Sequence, residues 1–316
     1  MRNPILLPPS CALARLALAG LACLCAFAAV AAPAASTATQ ATQRAFSTPD
    51  DAVRALVAAV RAANAGAMAR ILGPGSVKLI RSGDPVADRH ARERFLEAYD
   101  RQSRIEVEAD AKATLLIGDN DWPFPFPIVH RAPGWQFDAR SGAEEVLNRR
   151  IGRNELAAIQ VCLAYVDAQR EYALGAGNAE GMHAYAMRLV SRPGKKDGLY
   201  WPVREGEPAS PLGPLASKAK EEGYRAQPYH GYYYRILTRQ GASARGGAYD
   251  YVVDGKMIGG FALVAYPALW GASGVMTFIV NHDGIVYQKN LGPKTAAIAG
   301  AMARFDPDSS WARIEP

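Results

Sequence analysis

The feature that most constrains this chain is a stretch without proline from Ser141 to Tyr172. Ser141 precedes Glu144 by three residues, which is the spacing of a helix N-cap with its capping box. The sequence predicts one helix of roughly 30 residues, against about 11–12 for an average helix. A helix this long needs a packing partner, and the strand-rich segment after Tyr232 is the expected one. Apolar side chains recur at the three-to-four spacing of one helical face: Ile151, Leu156, Ile159, Leu163 and Val166.

Residues 1–32 have the composition of a cleaved secretory signal peptide. Arg2 and Arg15 supply positive charge, 16–31 form an apolar run, and Ala29-Val30-Ala31 resembles a small-residue cleavage site. The run is shorter than the ~20 residues that span a bilayer. We therefore expect a periplasmic or secreted protein with no transmembrane segment after cleavage. Lipidation at Cys23 is the alternative, although Gly20 stands where a lipoprotein signal has a branched aliphatic residue.

Charge and cysteine content argue against two classes of protein. The chain carries 36 basic and 30 acidic residues, and loss of Arg2 and Arg15 with the signal leaves 34 against 30, a net charge of +4. This charge is spread out without a dense basic tract, so no nucleic-acid partner is expected. Cys162 is the only cysteine after residue 32, which excludes an intramolecular disulfide. Its place on the apolar side of the long helix favours a buried hydrophobic side chain over a nucleophile.

The next segment, residues 33–45, is rich in Ala, Ser, Thr and Gln and is predicted to be a disordered leader. Residues 46–140 are predicted to form an α+β domain in which helices precede strands. The expected elements are a helix capped by Ser47 or Thr48, a short helix through Met68 and Leu72, a helix over 85–102, and strands near 105–108, 113–117, 128–130 and 135–138. This order resembles the cone-shaped, nuclear-transport-factor-like fold.

Residues 141–316 are predicted to form the second domain, the long helix packed on an antiparallel β-meander. The expected fold class is therefore α+β. We expect 184–190 to be helical, 195–228 to be an irregular loop with a short helix at 215–222, and a last helix over 294–304. Asp254-Gly255 and Asp283-Gly284 lie between apolar runs, which is a strong hairpin signal because such turns need positive φ angles.

Several long segments of the chain together resemble one family of secreted bacterial proteins, catalogued as domain of unknown function 2950. The resemblance covers nearly all of the chain after the signal, and it implies no reaction. Its segments are NELAAIQVCLAYVDAQREYA, PGKKDGLYWP, SPLGPL, PYHGYYYRILT, GGAYDYVVDGKMIGGFALVAYPA and SGVMTFIVNHDGIVY.

The second half is also similar to the globular parts of some type IV pilin-like proteins. That resemblance implies a helix laid on an antiparallel sheet. Pilins carry an apolar helix at the extreme N-terminus, where this chain has a whole domain, so polymerisation through such a helix is not implied. The matching residues are Asn154-Glu155, Gln169–Tyr172, Gly231–Tyr233, Ala265–Pro267, Ser273–Phe278 and Asp283-Gly284.

Two aromatic segments are the candidate binding surface. Trp122, Phe124 and Phe126 alternate with prolines that exclude a central strand, so they form either an exposed docking stripe or a plug at the open end of the small sheet. Tyr229, His230 and Tyr233 form either a binding platform with a titratable group or an edge strand that packs alternate tyrosines; the second interpretation is preferred because tyrosine is common in strands.

No constellation of catalytic residues stands out. The five histidines lack the spacing of a metal site, turn chemistry explains Asp254 and Asp283, and no Gly-x-Ser-x-Gly elbow is present. We therefore expect no catalytic residues, no cofactor and no metal. The preferred hypothesis is a non-catalytic structural or interaction protein of the cell envelope. The alternative is a small-ligand-binding or hydrolytic protein with an N-terminal conical pocket lined by Phe95, Tyr99 and Ile117, with a polar group inside.

Overall fold

The computed structural model describes residues 43–108, 111–179, 181–226 and 228–315. The predicted signal and residues 33–42 of the predicted leader lie outside the described residues. The last leader residues, 43–45, are attached to the first domain. The side-chain amide of Gln43 donates to the carbonyls of Ile71, Leu72 and Phe137 at 3.1, 3.2 and 2.6 Å.

The first half begins with helices that polar side chains cap. Thr48 accepts a hydrogen bond from the backbone of Asp51 at 3.1 Å, and Asn64 accepts one from Ala67 at 2.9 Å. These side-chain oxygens satisfy N–H groups that have no partner within the helix, which is why the helices begin there. The helices are α1 (Pro49–Arg61), α2 (Ala65–Leu72), α3 (Val77–Ile80) and α4 (Pro85–Arg101).

A small antiparallel sheet follows, in the order β1-β2-β4-β5 with β3 beside β2. Its strands are β1 (Ser103–Glu108), β2 (Lys112–Ile117), β3 (Trp122–Pro123), β4 (Ile128–Arg131) and β5 (Gly134–Phe137). Pro123 lies in a two-residue strand at the sheet margin, as the missing N–H of proline requires. Helices α1 and α2 and the sheet enclose a first core around Leu56, Ile71, Leu115 and Ile128.

The predicted long helix is continuous and forms α5 (Ala143–Leu174). It packs against the later strands, and the face it buries follows the helical repeat: Ala158, Cys162, Tyr165, Val166, Gln169, Tyr172 and Ala173. The predicted apolar stripe was wrong at two positions. Leu156 is 66% exposed and Leu163 is 37% exposed. The buried positions instead include Ala158, which is small, and Gln169, whose polar amide is bonded to Ala186.

The predicted capping box at Ser141 was also wrong. The helix begins after Gly142, which has a left-handed φ of 79°, and no side chain caps it. A Cβ at Gly142 would lie 2.4 Å from the carbonyl oxygen of Pro125, so only glycine fits at this approach. The backbone of Ser141 instead donates to Asp138 at 3.4 Å.

Residues 184–190, predicted to be helical, are extended. The side chain of Gln169 donates to the carbonyl of Ala186 and accepts from its N–H, both at 2.8 Å. The N–H of Tyr185 donates to the carbonyl of Met257 at 2.7 Å. Bonds to α5 and to a strand thus replace helical bonds, a tertiary effect that local pattern does not reveal. The neighbouring elements are β6 (Asn178–Ala179), β7 (Met182–His183) and α6 (Gly213–Glu221).

The last part of the described chain is the predicted antiparallel meander. Its main sheet has the order β17-β15-β14-β13-β8, so β8 is an edge strand. The main strands are β8 (Tyr232–Leu237), β13 (Ala262–Pro267), β14 (Met276–Asn281), β15 (Val286–Asn290) and β17 (Ala312–Arg313). Between them lie β9 (Arg239–Gln240), β10 (Tyr249–Asp250), β11 (Val252–Val253), β12 (Lys256–Met257), a 3₁₀ turn (Gly292–Lys294), α7 (Thr295–Ala301) and β16 (Arg304–Phe305).

The turn that joins β11 and β12 has the geometry that its sequence predicts. Asp254 and Gly255 both have positive φ angles, 49° and 75°. At the hairpin between β14 and β15 only Gly284, with φ of 78°, is left-handed. The α+β class and the C-terminal antiparallel meander are confirmed.

A buried carboxylate joins the two halves of the described chain. Asp84, fully buried, caps α4 by accepting from the N–H groups of Val86 and Ala87 at 3.1 and 3.0 Å. Its other oxygen accepts from the hydroxyl of Tyr224 and the N–H of Gly231, both at 2.8 Å. A second core lies beyond this contact, between α5 and the main sheet. A domain boundary at residues 140/141 stays a prediction.

Candidate functional site

An open pocket lies between α4, the start of α5 and the small sheet. Its volume is about 600 Å³, within the roughly 300–1,000 Å³ that small-molecule sites occupy. The alternative hypothesis predicted a pocket here. Phe95 and Ile117 line it as predicted, whereas Tyr99 lies outside the lining and stacks against Phe95 with ring centroids 6.3 Å apart.

The floor and walls of the pocket are apolar. Side chains from the five helices α1–α5, from β2 and from the Pro-rich segment surround it: Leu56, Val60, Met68, Leu72, Leu79, Ile80, Phe95, Ile117, Trp122, Phe124, Phe126 and Val146. Several of these side chains also belong to the first core, so the pocket opens directly onto packed hydrophobic material. An apolar ligand body would exchange water for this surface, which contributes about 25 cal/mol per Å² buried.

Arginines dominate the polar part of the pocket lining. They come from two helices, and the three on α5 share one face: Arg92, Arg94 and Arg101 from α4, and Arg149, Arg150 and Arg153 from α5. The acidic lining residues are Asp88 and Asp119, and Asp119 already pairs with Arg101 at 3.2 Å. Within the described chain, no carboxylate pairs with Arg92, Arg94 or Arg153. The pocket therefore combines apolar walls with an excess of positive charge.

The half-buried side chains of Arg150 and Asp88 form the inner polar part of this lining. Arg150 donates to the carbonyls of Lys78 and Leu79, both at 2.8 Å, and so ties α5 to the end of α3. Burial lowers the pKa of the Arg150 guanidinium; the charge of Asp88 opposes this shift and the charge of Arg153 adds to it. Burial raises the pKa of the Asp88 carboxyl, although its bonds from Ser82 oppose the rise.

The structure brings the first three predicted surface residues together at the pocket. Trp122, 50% exposed, lies at its margin, Phe124 is half-buried and Phe126 is buried. The rings of Phe124 and Phe126 are 5.2 Å apart, and Phe124 lies 5.3 Å from Phe95. The segment thus forms a pocket wall, with Trp122 alone of the three exposed.

The other three predicted surface residues lie outside the pocket lining. Tyr229 is buried, Tyr233 is half-exposed on the edge strand, and Tyr232 and Tyr234 between and beyond them are buried. This is the alternation that the edge-strand interpretation predicts. His230 occupies the preceding turn with φ of 49°, and its Nε2 lies 3.3 Å from a carboxylate oxygen of Glu222.

Burial shifts the pKa values of His230 and Tyr229. It lowers the pKa of His230, an effect that the charge of Glu222 opposes, and it raises the pKa of Tyr229 to about 12. Cys162 is fully buried in the second core, and burial raises its pKa to about 12. The thiol therefore stays protonated at neutral pH, which is the state of a packing side chain.

Sequence reasoning missed the arginines of the pocket and Asp84. A signal for the arginines exists, since Val146, Arg149, Arg150 and Arg153 share one face of α5. That face alone does not indicate a pocket, because the sequence does not show that α4 and the small sheet lie next to it. Asp84 before Pro85 has the pattern of a helix cap, but nothing in the sequence shows that Tyr224 and Gly231 also bind its carboxylate.

Two residues of the pilin-like pattern, Asn154 and Glu155, contact the second sheet. The amide of Asn154 donates to the carbonyl of Ser273 at 2.8 Å. The carboxylate of Glu155 accepts from the N–H groups of Val275 and Met276, both at 2.9 Å. These bonds fix the register of α5 on β14, so Asn154-Glu155 has a structural role here.

Neither a metal-binding cluster nor a membrane-spanning helix is found among the described residues. No group of three or more His, Cys, Asp or Glu side chains in that part of the chain lies close enough together to hold a metal ion. None of its helices is both long and apolar enough to cross a bilayer.

Comparison with known proteins gives one match. No curated protein and no solved structure matches the chain. The model of the family described as "Protein of unknown function (DUF2950)" matches residues 43–314. This match covers most of the chain and agrees with the segments quoted above, so the chain belongs to the DUF2950 family.

Proposed function

We propose that this protein is a cell-envelope binding protein that holds a small, largely apolar molecule in the pocket between α4, α5 and the first sheet. The observation that carries this proposal is the apolar pocket of about 600 Å³. The predicted secretory signal supports the envelope location. Ligand binding thus takes precedence over the structural role that the sequence alone favours.

The composition of the lining supports binding rather than hydrolysis. Among the described residues that line the pocket there is no Ser, Thr, Cys, His or Lys, the side chains that most often act as nucleophiles or proton carriers. The pocket carboxylates, Asp88 and Asp119, are engaged by Ser82 and by Arg101. Their pairing favours a structural use over paired-carboxylate catalysis.

A pocket-filling substitution tests the binding proposal. Ala91 lies on α4, lines the pocket and is solvent-exposed, so Ala91→Trp adds an indole at the pocket without displacing a core residue. The probe is N-phenyl-1-naphthylamine, a neutral dye that fluoresces in apolar sites, titrated into the purified full chain. We expect saturable binding to the wild type and an affinity loss of about tenfold or more, roughly 1.4 kcal/mol, in Ala91→Trp.

The matched control is Ala297→Trp, an exposed alanine on α7 that is outside the pocket lining. It should bind the dye as the wild type does. Equal loss in both variants, or no saturable binding to the wild type, would refute the proposal.

A second candidate, an interaction role in the envelope, is favoured by the outer side of α5. Leu156 and Leu163 are seven residues apart on one helical face and are 66% and 37% exposed. Their exposure and the pilin-like pattern of the second half support contact with an envelope protein. The test is crosslinking in an envelope fraction with Leu156→Gln/Leu163→Gln and, as control, Val253→Gln, an exposed residue elsewhere. If the wild type, the double variant and the control all retain the crosslink, this face of α5 does not make the contact.

A further inference from the structure

We infer that the pocket selects molecules whose apolar body ends in an acidic group, a carboxylate or a phosphate, which the arginines of α4 and α5 receive. This inference rests on the proposed function and adds the chemical class of the ligand. Its basis is the placement of charge: arginines from two facing helices line one pocket whose remaining wall is almost wholly apolar.

Two arginines of the lining, Arg92 and Arg153, are not explained by pairing within the described chain. Arg101 has acidic partners in Glu97 and Asp119, and Arg150 has backbone partners. Arg92 is half-buried and Arg153 is exposed, and no described carboxylate pairs with either. A partly buried guanidinium without an anion retains a desolvation cost that an anionic ligand would offset.

Arginines of both helices line this one pocket, so a single anionic group bound there can meet guanidinium groups from each. Arg92 lies on α4 and Arg153 on α5, and Arg150 lies one turn before Arg153. The planar fork of a guanidinium matches the paired oxygens of a carboxylate or a phosphate, and bonds between charged groups are about twice as strong as neutral ones. The apolar walls then receive the rest of the molecule.

The test compares head groups on one ten-carbon chain. Decanoate, decyl phosphate, decanol and decylamine compete with N-phenyl-1-naphthylamine for the full-length protein. We expect at least one of the two anions to displace the dye about tenfold more strongly than decanol, and decylamine to be weaker than decanol. The preference should shrink as ionic strength rises from about 0.01 M to about 1 M, because the Debye length falls from about 30 Å to about 3 Å.

Arg92→Gln/Arg153→Gln removes one unpaired charge from each helix while keeping good helix-forming side chains. In this variant the anions and decanol should bind within about twofold of one another. The control is Arg245→Gln/Arg313→Gln, which removes the same charge at exposed positions outside the lining and should retain the preference. Circular dichroism melts verify that each variant is folded.

The outcomes separate this inference from the function on which it rests. If the four compounds compete equally with the dye, the pocket binds ligands but selects no anion, and the inference is wrong while the proposed function stands. If the anion preference survives in Arg92→Gln/Arg153→Gln, the assignment to these arginines is wrong. If the dye itself does not bind the wild type, the proposed function fails first.

Discussion

At the scale of single residues, Asp84 is a side chain that bonds to both halves of the described chain. It is fully buried and accepts hydrogen bonds from Val86, Ala87, Tyr224 and Gly231. Asp84→Ala would leave these donors without their partner inside the protein. Since bonds to a charged group contribute about 1.5–3 kcal/mol each and an unsatisfied buried donor costs about 1–3, we expect a loss of about 3 kcal/mol or more in the free energy of unfolding.

Chemical denaturation with urea measures this loss. The control is Asp50→Ala, an exposed acid in the first turn of α1, for which the expected loss is below about 1 kcal/mol. Equal losses in the two variants would show that Asp84 does not link the halves.

At the scale of elements, α5 shows which of its sides faces the sheet. Val166 is 2% exposed in the second core, whereas Leu156 is 66% exposed. We expect Val166→Ala to lower the free energy of unfolding by about 2 kcal/mol, because it leaves a cavity, and Leu156→Ala to change it by less than about 0.5 kcal/mol. Urea denaturation of both variants measures the difference. A larger loss for Leu156→Ala than for Val166→Ala would instead support the predicted apolar face, in which Leu156 is buried.

The same helix shows which structural features can be predicted from the sequence and which cannot. Its existence, its length and its partner sheet could be predicted because no proline interrupts 141–172 and apolar residues recur along it. The side that it buries could not, since the buried positions include Ala158 and Gln169, which hydrophobicity ranks below Leu156 and Leu163. Gln169 is buried because Ala186 satisfies both ends of its amide.

The pocket was predictable only in part. The order of helices and strands indicated a concave first domain, and Phe95 and Ile117 were expected in it. The arginines on α5 were not, because they reach the pocket from an element assigned to the other half of the chain. Trp122, Phe124 and Phe126 were recognised by their proline spacing, yet their position as a wall depends on α4 standing opposite.

At the scale of the whole molecule, the buried tyrosines of the second half make the free energy of unfolding depend on pH in the alkaline range. Burial raises the pKa of Tyr165, Tyr224, Tyr232 and Tyr234 above its ordinary value, and raises that of Tyr229 to about 12. In the unfolded chain tyrosine ionises near pH 10. Above about pH 10 the unfolded chain therefore releases protons that the folded protein retains, so stability is full below that pH and falls as the pH rises toward 12.

Urea denaturation at about pH 7, 9 and 11 tests this dependence. The midpoint should be constant between the first two and lower at the third, each raised tyrosine contributing up to about 1.4 kcal/mol per pH unit. Tyr229→Phe removes one such group and should show a smaller fall. A midpoint that is unchanged at about pH 11 would contradict the burial of these hydroxyls.

The continuity of α5 limits how the gene can change. Its early turns give Val146, Arg149, Arg150 and Arg153 to the pocket, and its later turns give Ala158, Cys162 and Tyr165 to the sheet. Each residue turns a helix by about 100°, so a codon inserted or lost between Arg153 and Ala158 would rotate one set of side chains away from its target. The helix therefore tolerates only insertions or deletions whose length restores the rotation.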